Sequence, residues 1–249
     1  MRFTDLKKNL KKDFTNKKRI KVALLGDSAT QMLHQALRGS GYNSELDIEI
    51  YEADYDQVER QILDKSSELY GFCPDFVVIL LAVEKVKNKF YNTPIEERLN
   101  FHKLECEKLN GMLQRLSINA PYARVILSNF MEFNDAVFGH FSNKTVYSFL
   151  YQLRNLNCSL MDLCQKHSNC FVLDVASLTV QMGQPVLTDN RNRISSDLQF
   201  SIDALPLIAS SIVKIIQSIL GSSKKCLVLD LDNTLWGGVI GDDGIENIE

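Results

Sequence analysis

Short runs of unbroken apolar residues recur along this chain, each separated from the next by a stretch with helical spacing. The longest run, FVVILLAV at 76–83, is apolar at every position and not at alternate ones. Such a strand must be covered on both faces, which antiparallel hairpins do not achieve and intervening helices do. Strands are expected at 20–25, 46–51, 75–83, 123–128 and 170–175. Helices are expected at 31–37, 55–69, 95–116, 147–167 and 206–220. In the last helix Leu207, Ile208, Ile212, Ile215, Ile216 and Ile219 recur on one stripe, and in 147–167 Leu153, Leu156, Leu160 and Leu163 do the same. Residues 19–220 are therefore expected to form an α/β domain of three layers, α/β/α, with a parallel sheet in the middle.

The remaining composition narrows the class. Hydrophobic residues make up 45% and charged residues 24%, ordinary proportions for a soluble globular protein. The longest apolar run is too short to span a bilayer, and no signal peptide opens the chain. The six cysteines, Cys73, Cys106, Cys158, Cys164, Cys170 and Cys226, lack metal-type pairing, so they read as reduced core residues of a cytoplasmic protein.

Charge is uneven. Residues 1–21 carry nine Lys and Arg against two Asp, although the whole chain is at −3. Phe3, Leu6, Leu10 and Phe14 recur there at helical spacing. A basic amphipathic helix suits a membrane surface or nucleic acid, or it lays its stripe on its own domain. The stripe is short and no aromatics interleave for base stacking, so packing on the domain is expected. Segment 1–18 is read as this basic lead-in, and no nucleic acid is expected as a partner.

The most chemical segment is KCLVLDLDNTLWGGVIGDDG at 225–244, which follows a Gly-Ser-Ser-Lys linker at 221–224. An apolar strand would end in Asp230 and Asp232, whose alternate spacing turns both carboxylates the same way. Two carboxylates at the carboxyl end of a strand make a hard-oxygen site for magnesium. One can attack phosphorus while the second moves a proton to and from the leaving group. Gly237 and Gly238 permit a sharp backbone turn just beyond. The plainer reading is a buried strand that runs into an Asp/Asn cap and a loop. Asp242 and Asp243 read as turn residues.

The pattern Asp230-x-Asp232-x-Thr234 after an apolar strand resembles the first motif of the haloacid-dehalogenase (HAD) superfamily. With Leu235-Trp236-Gly237-Gly238 attached it resembles the FkbH-like branch. The resemblance implies that 221–249 opens a HAD-like Rossmannoid domain whose later motifs lie beyond Glu249, so the chain reads as a fragment without phosphatase activity of its own. Asp230 would accept the phosphoryl group and bind Mg2+. Asp232 would act as acid and base and would offer its carbonyl to the metal. Thr234, Gly237 and Gly238 would support the phosphate loop.

A second resemblance lies at the front. Gly26-Asp27-Ser28, straight after the first strand, is similar to the opening block of SGNH hydrolases, whose nucleophilic serine sits at that turn. Those enzymes also need an Asn for the oxyanion and a late Asp-x-x-His to activate the serine. Here the third strand ends Leu81-Ala82-Val83-Glu84, and the late segment reads Ser196-Asp197-Leu198-Gln199-Phe200-Ser201. His34, His102, His140 and His167 all precede it. The expectation is an SGNH- or flavodoxin-like domain that has lost hydrolysis, with Asp27 or Ser28 capping the next helix instead. His140 sits in a loop after the fourth strand and reads as a surface residue; Asp189 and Asp197 carry no assigned role.

FkbH-like proteins carry such a domain ahead of their HAD unit. The resemblance implies a phosphatase turned to acyl transfer: it dephosphorylates a phosphorylated three-carbon acyl (glyceryl) donor and loads the phosphopantetheine arm of an acyl carrier protein. The setting would be polyketide or glycan biosynthesis. Two other readings stay open: an SGNH-type esterase or acyltransferase that uses Ser28, and a non-catalytic docking domain.

Overall fold

A computed structural model describes residues 1–222, 226, 228–244 and 246. The chain divides into two compact units, Met1–Ile215 and Ile216–Glu249.

The first unit is built on a five-stranded sheet in the order β2-β1-β3-β4-β5, from β1 (Lys18–Gly26), β2 (Leu46–Glu52), β3 (Phe76–Leu80), β4 (Arg124–Ser128) and β5 (Cys170–Leu173). Every pairing is parallel, and helices cover both faces, as the unbroken apolar runs require. The centre of the sheet is dry: all five residues of β3 are buried, and so are Val22, Ala23, Leu24 and Leu25 of β1. The order reverses between β1 and β3, which leaves a crevice outside their carboxyl ends, where ligands bind in open sheets of this kind.

The basic lead-in does pack on its own domain. Helix α1 (Phe3–Asn9) buries Phe3 and Leu6. It lies against α2 (Gln31–Asn43), and the Asn9 amide donates to the Gly39 carbonyl at 3.0 Å and to Asn43 Oδ1 at 2.9 Å. Phe14 lies past the end of the helix, where its ring meets Tyr42 edge-on at 5.1 Å.

The strand expected at 170–175 stops at Leu173, with Val175 already helical, and three further expected elements differ because a side chain takes a backbone group that a regular element would have used. The helix expected at 55–69 is two helices, α3 (Val58–Leu63) and α4 (Glu68–Phe72). Asp64 Oδ1 accepts from the Ser66 N–H at 2.9 Å, and Ser67 Oγ donates to the Gln61 carbonyl at 2.6 Å, which closes the turn between them. The strand expected at 75–83 stops at Leu80, and Val83 begins α5 (Val83–Asn92). The Leu81 N–H turns to Ser128 Oγ and the Ala82 N–H to Asp27 Oδ1. The helix expected at 95–116 is α6 (Ile95–Arg98) and α7 (Phe101–Asn119), broken where the buried amide of Gln152 accepts from the His102 N–H and donates to the Leu99 carbonyl.

Helix α8 (Phe149–Lys166) starts at Ser148, whose Oγ accepts from the Tyr151 N–H at 3.0 Å, and the expected stripe Leu153, Leu156, Leu160 and Leu163 is buried. Asp174 follows β5 and caps α9 (Val175–Met182). Short helices α10 (Gln184–Leu187) and α11 (Asn190–Ser196) follow, then α12 (Leu205–Ile219), whose Ile208 and Ile212 are buried. All six cysteines are free, but they depart from the expected core placement: Cys170 alone is buried, and Cys73, Cys158 and Cys226 are exposed. Cys73, for one, ends α4 in the left-handed region at φ 53°. No described helix is long and apolar enough to cross a membrane.

In the second unit the expected strand before Asp230 is not formed among the described residues. Val228 is 87% exposed and Leu229 and Leu231 are exposed as well. Residues 223–225 and 227, part of the linker and strand expected there, lie outside the described residues. An isolated strand leaves its donors and acceptors unpaired, and the described part of this unit has no other strand to take them. What does form is a tight loop, with an isolated bridge between Asp232 and Trp236, followed by the short α13 (Ile240–Asp243).

Candidate active sites

In the first unit the turn after β1 lies at the crevice between β1 and β3. Gly26 is required by space, since a Cβ there would strike the Thr30 methyl. Asp27 follows and is 8% exposed. Its Oδ1 accepts the Ala82 N–H at 2.9 Å, which joins the carboxyl ends of the two strands. Burial pushes the Asp27 carboxyl up to about 6, against the pull of the Ala82 hydrogen bond and of Lys85. Neither Asp27 nor Ser28 caps α2. Thr30 holds the N-cap position, and its hydroxyl donates to Glu52 Oε1 at 2.6 Å.

Ser28 is buried beside this turn. The late segment does return to it: the Ala29 N–H donates to the Asp197 carbonyl at 3.0 Å. Yet the segment brings no base. Phe200 stands three positions after Asp197, and the Asp197 carboxylate accepts from the Tyr55 hydroxyl at 2.6 Å instead. The histidines are engaged elsewhere. His34 bonds Glu52 at 2.9 Å, His102 bonds Gln152 at 2.7 Å, His167 bonds Asn110 at 2.8 Å, and His140 is exposed in the 3-10 turn Gly139–Asn143.

Nor is an oxyanion amide aimed at Ser28. Glu84, at the end of the expected third strand, pairs with Arg193 at 2.6 Å. Asn129, after β4, spends its side chain on Asp174 and on the Ala176 N–H. A serine with neither base nor oxyanion donors keeps its proton near neutral pH and is a poor nucleophile. Asp189 caps α11 through the Arg191 N–H at 2.8 Å.

The Asp27 surroundings were not legible in the sequence. Lys85, Asp56 and Asp197 all act on the Asp27 charge, from positions far apart in the chain. Asp56 and Asp197 both adopt positive φ, at 58° and 49°, a conformation aspartate tolerates better than most residues, but no spacing in the sequence ties either of them to Asp27.

The second unit holds the loop at 230–240. Asp232 Oδ1 accepts from Trp236 Nε1 at 3.1 Å and from the Ile240 N–H at 3.3 Å. Asn233, at φ 54°, accepts the Gly238 N–H on its Oδ1 at 3.0 Å and donates its own N–H to the Gly238 carbonyl at 3.2 Å. Gly238 sits at φ 102°, a value that favours glycine. Asp230 is exposed, and its Oδ1 accepts from the N–H of Leu231 at 2.9 Å. Thr234 and Gly237 are exposed, and the Thr234 N–H donates to the Leu231 carbonyl. The donor chemistry suits magnesium, which takes one or two carboxylates and completes its shell with waters and substrate phosphate oxygens. Among the described residues no three His, Cys, Asp or Glu side chains gather as a metal-holding group.

The model of a family described as FkbH, N-terminal domain, matches residues 21–217. A crystal structure of the N-terminal part of the protein BF1531 from Bacteroides fragilis, containing a phosphatase domain complexed with Mg, is 38% identical and superposes with a TM-score of 0.89. The match covers 100% of this chain and 65% of that one, so this chain spans about two thirds of its length. A family 3 carbohydrate esterase from Clostridium thermocellum is 14% identical with a TM-score of 0.55, covering 82% of this chain and 98% of that one. A lipase/acylhydrolase from Enterococcus faecalis is 18% identical with a TM-score of 0.53, covering 84% and 100%. These last two likenesses concern the fold alone. No curated protein matches the chain.

Proposed function

The chain belongs to the FkbH family through its N-terminal domain, and from that premise we propose that it is the front portion of a magnesium-dependent HAD-type phosphatase that passes an acyl group on. The observation that carries the reading is the match, along this entire chain and at 38% identity, to a protein described as containing a phosphatase domain complexed with Mg. The Asp230-x-Asp232-x-Thr234 segment supports it, because it supplies the residue types that phosphoryl transfer to a carboxylate needs.

In this reading Asp230 is the nucleophile toward phosphorus, and its exposure leaves it open to a substrate. Asp232 holds the loop through Trp236 and Ile240 and moves a proton at the leaving oxygen. Asn233 and Gly238 keep the turn closed, and Thr234 supports it. Asp230 and Asp232 would hold the magnesium ion, which when bound neutralises charge on the transferring phosphoryl group. The donor is a phosphorylated three-carbon acyl compound and the acceptor the phosphopantetheine arm of an acyl carrier protein. The first unit positions a partner and does not hydrolyse, since Ser28 has no base.

Phosphate release tests the proposal. The full-length protein, given phosphorylated glycerate and Mg2+, should release phosphate, and Asp230→Asn should reduce the rate by roughly three orders of magnitude or more. Equal rates in wild type and variant would refute it.

A further inference from the structure

Beside the Asp27 turn a cleft of about 270 Å3 opens between α3, α5 and α7. It is somewhat smaller than the roughly 300–1,000 Å3 of sites for drug-sized ligands. Val58, Val86, Leu109, Met112 and Phe130 give it an apolar wall, and Asp27 is among its lining. Three lysines also line it, and each already has a partner: Lys85 pairs with Asp56 at 2.9 Å, Lys89 with Glu105, and Lys108 with Glu59. Lys85 also lies over the Tyr55 ring at 4.7 Å. The three pairs cancel and leave one carboxylate over, that of Asp27. Its Oδ1 is taken by the Ala82 N–H, which leaves Oδ2 as the oxygen a ligand in the cleft could meet, since Asp27 is part of the lining and Oδ2 is not among the fully buried partnerless atoms.

We propose that this cleft binds a small organic ammonium ion with an apolar body. A buried carboxylate with a single hydrogen bond is costly, and a cation that donates to its free oxygen relieves that cost. An anion would meet Asp27 and gain only lysines already paired. A neutral molecule would fill the apolar wall and leave the charge uncompensated. The site lies in the first unit and does not depend on the phosphatase reading, whose residues lie in the second.

The test is calorimetric titration of the chain with n-pentylammonium, 1-pentanol and pentanoate, which share one apolar body. At about pH 8 the ammonium ion should bind about tenfold or more tighter than the alcohol, and pentanoate should not bind. The groups that face Asp27 are Lys85, Asp56 and Asp197, with Glu59, Lys89, Glu105 and Lys108 further round the cleft. Protonation of Asp27 should erase the preference for the ammonium ion at about pH 5. Asp27→Asn should erase it at every pH, and Asn can still accept the Ala82 N–H. Met112→Trp should fill the cleft and abolish binding of both ligands, which keeps the proposal testable should Asp27→Asn not fold. Equal binding of ammonium ion and alcohol at about pH 8 overturns the proposal, as does a preference that survives Asp27→Asn.

Discussion

The backbone N–H of Ala29 donates to the carbonyl oxygen of Asp197 at 3.0 Å, although the two residues lie at opposite ends of the first unit. The late segment thus reaches the serine turn in the manner an SGNH-type site requires and delivers Phe200 and a Tyr55-bound carboxylate instead of a base. Ser28 should therefore resist a fluorophosphonate probe. Intact mass after prolonged incubation should show no adduct, and stoichiometric labelling of Ser28 would reveal an activating base.

Asp27 should make the stability of the chain pH-dependent in a particular direction. Its carboxyl is raised in the fold, from an ordinary 3.8 to about 6. The folded state therefore holds the proton more tightly than the unfolded one. The stability this contributes is fully present below pH 3.8 and is lost as pH rises through about 6. The loss is on the order of 2–3 kcal/mol. Urea unfolding of wild type and Asp27→Asn at a series of pH values should show the variant gaining on wild type across that window. A constant difference would contradict the assignment.

Gly39 lets α1 dock. A Cβ at that position would strike the Leu6 carbonyl oxygen, a backbone atom that cannot turn aside. Alanine gains about 1 kcal/mol in a helix, and overpacking costs about 1–3 kcal/mol, more where backbone must move. Gly39→Ala should therefore be neutral to destabilising despite its better helix propensity. Hydrogen exchange should quicken at the amides of Phe3–Asn9 before it does in β3. Unchanged protection there would mean that α1 adapts without leaving its place.

The two aspartates of the second unit should separate in a tryptophan experiment. Trp236, the sole tryptophan, donates to Asp232 and not to Asp230. Asp232→Ala should make its fluorescence more readily quenched by iodide. Asp230→Asn should leave quenching as in wild type. Equal effects of the two substitutions would contradict the loop geometry.

Much of this protein is legible because burial imposes a pattern on sequence. Strands covered on both faces read as runs such as 76–80, and the stripe on α8 reads as leucines at helical spacing. The element ends were not legible. Leu80 ends β3 because Ser128 and Asp27 capture the next two amides, and Gln152 breaks the helix at Leu99 from more than fifty positions away. Such breaks are made by residues remote in the chain, so no local propensity carries them.

The candidate sites divide the same way. Asp230, Asp232 and Thr234 could be named from spacing alone, because they fall within a few residues of one another. The Asp27 cleft could not. Its carboxylate, the lysine that faces it and the tyrosine and aspartates around it belong to β1's turn, α5, the loop after β2 and the end of α11. Sequence by itself determined the layered parallel sheet and picked out the residue types of the 230–234 segment, since both rest on periodicity and short-range spacing. Only the tertiary structure decided that Asp197 meets the serine turn and that Asp27 lies buried with its Oδ1 on the Ala82 N–H, because both facts depend on which distant segments the sheet order brings to the carboxyl ends of β1 and β3.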